Sequence, residues 1–196
     1  MGVLPDGLIR QLALDPRTRM IEPFSERVAD PGKLVSWGLQ PAGYDARLDP
    51  GILVFDWARA QGEILDPLAI NPELYEERVA LPHFDIPPRG FIQGMTVEYF
   101  RIPRDVTVLG RGKTTYSSVG IEVNVASINP GWEGRLRIHI ANVTPIPVRI
   151  RGGEGIVYLE FHRLAAACEV PYDQLPGTSF QGQRHFLVPP MTALRR

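Results

Sequence analysis

The stretch RLRIHIANVTP, residues 135–145, carries the clearest structural pattern in this chain of 196 residues. Apolar and polar residues alternate along it: the apolar ones are Leu136, Ile138 and Ile140, and the polar ones are Arg135, Arg137 and His139. A period of two is typical of a β-strand with one face in the core. The other face therefore either contacts water or lines a site, and His139 is a surface residue, a satisfied buried histidine or a catalytic group.

The same strand signal extends on both sides of this stretch, from residue 90 to residue 164. Strand-like runs follow one another at short spacing, with turns such as NPGWEG (residues 129–134) between them. Glycine and proline, 19 of each, are spread along the chain, which favours many short strands over long helices. The pattern predicts an all-β domain of antiparallel strands, arranged as a barrel or a sandwich.

The two ends of the chain have a different character, within what we expect to be a single domain over residues 1–196. Residues 1–19 predict a short N-terminal helical segment, whose apolar face is formed by Leu8, Ile9, Leu12 and Leu14. Residues 165–196 are polar and rich in proline, and they predict a C-terminal arm. Such an arm packs on a neighbouring subunit or closes over a ligand.

The composition argues against several functions. The net charge of −1 gives no basic excess for neutralising nucleic-acid phosphates, so we expect no nucleic-acid partner. No stretch approaches the roughly 18 apolar residues of a membrane helix, and no secretory signal is recognisable, so we expect a cytoplasmic protein without a membrane partner. Cys168 is the single cysteine, which argues for a structural thiol and against a zinc site.

The segment GKTTYSSVG, residues 112–120, is the first candidate ligand site. Gly112 and Lys113 resemble the end of a P-loop, but Thr107 stands where that motif needs glycine, and no helix pattern follows. A lysine among several hydroxyls still suits phosphate oxygens. The alternative is a solvated turn rich in serine and threonine.

The NPGWEG turn is the second candidate. Trp132 can simply hold the hairpin together, and Asn129 either binds a ligand hydroxyl or caps the turn.

Taken together and in order, these motifs resemble the dCTP deaminase/dUTPase superfamily, on the dCTP deaminase side. The matching stretches are SWGLQPAGYDARL (36–48), residues 96–161 and PYDQLPGTSFQGQ (171–183). The resemblance implies a distorted antiparallel β-barrel of the dUTPase-like β-clip type, assembled as a homotrimer with active sites at the subunit interfaces. It also implies a pyrimidine deoxynucleoside triphosphate as ligand, with Mg²⁺ on its phosphates and no zinc.

The resemblance further implies which residues contact the nucleotide. The phosphates are held by the 112–120 segment, the base and sugar by the strand end before residue 130, and the C-terminal tail folds over the triphosphate. The nucleotide-binding positions implied in this way are Lys113, Thr114, Thr115, Val125, Asn129, Tyr172, Gln181 and Gln183.

Four positions depart from the deaminase pattern, whereas Asp45 of the GYD motif is retained. His139 stands where deaminases carry the glutamate that activates water for attack on C4 of cytosine. Ser118 stands where they carry an arginine, and these two residues are the predicted catalytic positions. Asn129 replaces the acidic residue that binds the sugar 3′-hydroxyl, and Ser179 replaces a lysine of the tail.

The chemistry leaves three functions open. Deamination without zinc needs a group that takes a proton from water and delivers it to the base and to the leaving ammonia. A neutral imidazole can do this, but it has one acceptor nitrogen, whereas a carboxylate can also accept the cytosine amino protons. The chain is thus a dCTP deaminase-like hydrolase with an altered reaction or ligand, a regulatory nucleotide-binding trimer without turnover, or a dUTPase-type pyrophosphatase. A dUTPase-type pyrophosphatase needs an acidic residue that activates water, and Asn129 lies near the usual position of that residue.

Overall fold

The computed structural model describes residues 2–67 and 69–185, and antiparallel strands dominate it. The strands are β1 (Gly2–Val3), β2 (Ile21–Glu22), β3 (Gly38–Gln40), β4 (Gly43–Arg47), β5 (Gly51–Phe55), β6 (Tyr75–Val79), β7 (Phe84–Ile86), β8 (Phe91–Arg101), β9 (Val106–Gly112), β10 (Ile121–Val125), β11 (Glu133–Asn142), β12 (Val148–Ile150) and β13 (Gly155–Arg163). The helices are α1 (Asp6–Leu14) and α2 (Thr114–Ser117), with 3-10 turns at Pro72–Leu74 and Tyr172–Gln174. The predicted all-β class is therefore confirmed.

The strands form three antiparallel sheets. The largest has the order β10-β11-β8-β5-β6, with β2 added on β8. The second has the order β1-β13-β4-β3, with β9 on β13, and β7 pairs with β12. Strand β11, which contains the alternating stretch, lies between β10 and β8, so the sheet fixes it on both edges. No described helix is long and apolar enough to span a membrane.

The core is filled from one face of β11. Leu136, Ile138 and Ile140 are at most 3% exposed, and they belong to one cluster with Leu159 and Phe161 of β13. Burying each such side chain contributes about 1.5–3 kcal/mol. A slip of one residue would place the arginines of β11 in the core, so the alternation fixes the register.

Helix α1 lies within the predicted N-terminal segment, but its buried face differs from the prediction. Ile9 and Ala13, four residues apart, are the buried pair. Leu8 and Leu14 are 41% and 60% exposed, so their expected place on the buried face is wrong. Leu12 is partly buried against the core, so the predicted face packs through Ile9 and Leu12 but not at Leu8 and Leu14.

A second expectation also fails, because a helical turn does follow Gly112. Helix α2 is a single turn, and Tyr116 is its buried residue. A four-residue helix with one buried residue has no helical periodicity in its sequence, so the pattern could not indicate it. Residue 1 of the predicted helical segment and residues 186–196 of the predicted arm lie outside the described residues, and the single-domain organisation stays a prediction.

Candidate functional site

The polar face of β11 is only partly exposed to solvent. His139 is half-buried there, opposite Gln93 of β8 and Asn124 of β10. Its ring lies parallel to that of Phe91, with 6.1 Å between the ring centres. Arg137 lies two residues earlier on the same face, and it too is half-buried.

His139 and Arg137 line a cavity of about 160 Å³, which we call the His139 cavity. Its lining residues are Ala126, Ser127, Ile128, Asn129, Trp132, Leu136, Arg137, His139, Tyr172, Phe180 and Gln183. A protein cavity of about 150 Å³ accommodates benzene, so this volume matches a single six-membered ring. No carboxylate is present among these lining residues of the described chain.

The C-terminal tail, residues 180–183, forms one wall of the His139 cavity and is attached to the start of β11. The indole N–H of Trp132 donates to the carbonyl of Phe180 at 2.9 Å. Main-chain bonds continue the attachment, from Gly182 N–H to Glu133 O at 2.9 Å and from Arg135 N–H to Gln183 O at 2.7 Å. Trp132 therefore anchors the tail, which the turn motif alone did not indicate.

Gly134 makes this close approach possible. It pairs with Gln183 in a parallel bridge and has φ +149°. A Cβ at this position would lie 3.1 Å from the backbone N and O of Gln183. A side chain there would push the tail away from β11.

The electrostatics of the His139 cavity favour a neutral imidazole. Burial lowers the pKa of His139, and the neighbouring Arg137 charge lowers it further. Burial also lowers the pKa of Arg137, whose guanidinium lies 5.7 Å from the centre of the Phe180 ring. An imidazole that is neutral near pH 7 keeps one acceptor nitrogen and one donor nitrogen.

Replacing Arg137 by methionine should raise the pKa of His139 toward its ordinary value. The substitution removes the positive charge but keeps a long side chain against Phe180. The measurement is an NMR titration of the His139 imidazole, assigned with a His139→Gln variant. Arg149→Met is the matched control, because Arg149 is an exposed arginine paired with Asp85. An unchanged His139 pKa in Arg137→Met would contradict the arrangement.

The 112–120 segment lies apart from the His139 cavity of the same chain. Lys113 is half-buried and forms an ion pair with the buried Asp45, and its ammonium also donates to Ser36 Oγ at 3.4 Å. Burial raises the pKa of Asp45, and the Lys113 ammonium opposes that shift. Thr114 and Thr115 are exposed on α2, where their hydroxyls can meet a ligand.

The structure thus divides the predicted site residues into two groups. His139, Asn129, Tyr172 and Gln183 line one cavity. Gln181 is next to it, with its side-chain amide donating to Gly131 O at 3.1 Å.

The other predicted positions are not among the cavity-lining residues: they are Lys113, Thr114, Thr115, Ser118 and Val125. Val125 is half-buried on β10, and the Ser118 hydroxyl donates to Thr115 O at 3.0 Å.

Sequence reasoning missed Arg137 as a site residue, and it placed Phe180 in the tail that folds over the triphosphate without naming it as a nucleotide-binding position. The signal for Arg137 was present, because it shares the polar face of β11 with His139. Phe180 lies in an irregular segment that has no period, so only its adjacency to the predicted tail glutamines pointed to it. Among the described residues, no group of three or more histidine, cysteine or acidic side chains is placed to hold a metal ion.

The fold is shared with a known nucleotide enzyme. The solved 2′-deoxycytidine 5′-triphosphate deaminase from Agrobacterium tumefaciens superposes with a TM-score of 0.60 at 19% identity, over 83% of this chain. The match covers 48% of that protein, so this chain spans about half its length.

A family model described as dCTP deaminase-like matches residues 3–164, and the chain belongs to this family. It is 42% identical to the dCTP deaminase of Granulibacter bethesdensis over 97% of this chain and all of that protein. It is 38% identical to the dCTP deaminase of Paramagnetospirillum magneticum over 96% of this chain and 99% of that protein. The resemblance drawn from the motifs is confirmed, and the placement of His139 at the family glutamate position stays a prediction.

Proposed function

We propose that this chain binds a pyrimidine (deoxy)nucleoside triphosphate in the His139 cavity and hydrolyses it, as a dCTP deaminase-like enzyme of nucleotide metabolism. The observation that carries the proposal is the cavity itself, which has the volume of one six-membered ring and a half-buried imidazole on its wall. Family membership supports the nucleotide class.

His139 is the proton-transfer group in this proposal. As a neutral imidazole it takes a proton from the attacking water and then delivers it to the leaving group. Arg137 disfavours the imidazolium formed in between, because the two positive charges lie on the same strand face. Transfer of the proton from the His139 imidazolium to the leaving group is therefore favoured.

The triphosphate end is proposed to meet the 112–120 segment of a second subunit, since these residues do not line the His139 cavity of their own chain. The proposed assembly is a homotrimer. In it, the exposed hydroxyls of Thr114 and Thr115 contact the phosphates of the nucleotide. Lys113 is held by Asp45 and fixes the loop that carries these two threonines. Hydroxyl and ammonium groups donate hydrogen bonds to phosphate oxygens, and among the described residues no group of three or more histidine, cysteine or acidic side chains is placed to hold a metal ion. Mg²⁺ is therefore proposed to be held by the phosphates and to neutralise part of their charge.

The test is a panel of dCTP, dUTP and dATP with Mg²⁺, in which ammonia, pyrophosphate and phosphate are all measured. We expect one of these products from a pyrimidine nucleotide and none from dATP. Replacing His139 by glutamine should lower that turnover about 10²–10⁴-fold, the usual contribution of a positioned acid–base group. Folded wild-type protein that turns over no pyrimidine nucleotide would contradict hydrolysis.

A nucleotide-binding protein without turnover is the second candidate. It is favoured by one observation, the absence of a carboxylate among the described residues that line the His139 cavity. Calorimetry that shows tight pyrimidine nucleotide binding with no product would select this candidate. Pyrophosphate release from dUTP would instead select the pyrophosphatase.

A further inference from the structure

The His139 cavity presents hydrogen-bond donors where a deaminase would need an acceptor. Arg137 carries only donors, five N–H groups in a planar fork. His139, neutral because of burial and the Arg137 charge, supplies one donor and one acceptor. The two side chains are neighbours on one face of β11, so they address the same edge of a bound ring.

The two pyrimidine bases differ along that edge. Cytosine has an amino group at C4, which donates, and an N3 that accepts. Uracil has a carbonyl oxygen at C4, which accepts, and an N3–H that donates. A guanidinium beside an imidazole acceptor therefore complements the O4 and N3–H of uracil. Against cytosine, the guanidinium would meet the amino group, donor against donor.

We propose that Arg137 makes this site selective for a 4-oxo pyrimidine, the uracil ring, over the 4-amino ring of cytosine. The inference rests on the proposed binding of a pyrimidine nucleotide in the His139 cavity and names the base that the site takes. It uses the one acceptor nitrogen of His139 for N3–H, and a uracil ring has no 4-amino group to lose, so it favours binding or phosphate hydrolysis over deamination. A hydrogen bond from a charged donor to O4 is stronger than one between neutral groups. No carboxylate of the described lining can accept the cytosine amino protons.

The position of Arg137 against the tail strengthens this selection. Its guanidinium lies over the Phe180 ring, and Phe180 is held by the Trp132 indole. These contacts restrict the side chain, so less conformational entropy is lost when it binds a carbonyl oxygen. If cytosine is bound, the half-buried Arg137 guanidinium faces its amino group and cannot turn toward water without losing its contact with Phe180.

The experiment measures dissociation constants of the full chain by calorimetry, with α,β-imido analogues of dUTP and dCTP in the presence of Mg²⁺. The α,β-imido bridge resists phosphate hydrolysis, and chromatography after each titration reports any deamination. We expect the dUTP analogue to bind about 5-fold to 150-fold more tightly, which is the range that corresponds to one unsatisfied polar group. Arg137→Met should reduce that ratio toward one, whereas the matched Arg149→Met variant should keep it.

Two results would overturn the inference while the proposed function stands: equal or tighter binding of the dCTP analogue, or an unchanged ratio in a folded Arg137→Met protein. If neither analogue binds the wild-type chain, the proposed function fails and the inference fails with it. If Arg137→Met does not fold, Arg137→Gln replaces it in the same comparison, and an unchanged ratio in that variant overturns the inference.

Discussion

The double variant His139→Glu, Ser118→Arg should release ammonia from dCTP about 10²–10⁴-fold faster than the variant His139→Gln, Ser118→Arg, which has no basic group at position 139. The new carboxylate would lie on the wall of the His139 cavity, where it can accept both the water proton and the cytosine amino protons. Arg137 beside it would hold the carboxylate in its ionised form, which is the form that acts as a base. The arginine at position 118 restores the residue that the resemblance implies there.

The control is His139→Gln with the same Ser118→Arg change, which has nearly the same shape but no basic group. Ammonia is measured with dCTP in excess, after circular dichroism has shown that each variant is folded. If the double variant binds dCTP but releases ammonia no faster than its glutamine control, then position 139 does not face C4 of the base.

The second large effect concerns stability rather than turnover. Replacing Lys113 by methionine should lower the free energy of unfolding by about 3–5 kcal/mol at pH 8, because it leaves the buried Asp45 carboxylate without its partner. Burial without the ammonium raises the pKa of Asp45 above its unfolded value. The folded variant then binds more protons than the unfolded one, so the loss is largest above that raised pKa. This loss of stability shrinks as the pH falls through the raised pKa of Asp45.

Urea unfolding at pH 8 and pH 5, at one protein concentration, measures both parts of this prediction. Lys33→Met is the matched control, because Lys33 and Asp30 form an exposed ion pair on the surface. Adding Asp45→Asn to Lys113→Met removes the stranded charge and should restore part of the stability. If Lys113→Met costs no more than Lys33→Met, the ion pair is not structural and Lys113 remains available for phosphates.

The alternation in residues 135–142 was enough to predict the faces of β11. In a half-buried strand whose apolar and polar residues alternate, the apolar set must face the core. Leu136, Ile138 and Ile140 accordingly fill it. The same logic failed for α1, because a short helix can contain apolar residues that no neighbour covers. Leu14, at its end, is the example.

The site was less predictable because it depends on contacts between distant parts of the chain. Lys113 pairs with Asp45, 68 residues away, and no local pattern shows which acid a lysine will meet. Likewise, the sequence placed Arg137 on the polar face of β11, but not whether that face would be covered. The cover comes from Tyr172, which begins a 3-10 turn, and from Phe180, which lies in an irregular segment.

The attachment of the tail has a consequence for divergence among paralogues. Gly182 and Gln183 are held through their peptide groups, and Phe180 through its carbonyl oxygen. Replacing the side chain of Phe180 or Gln183 leaves those bonds in place, whereas Gly182, with φ +72°, tolerates no side chain without strain. The side chains that Phe180 and Gln183 offer to a ligand can therefore change without detaching the tail from β11.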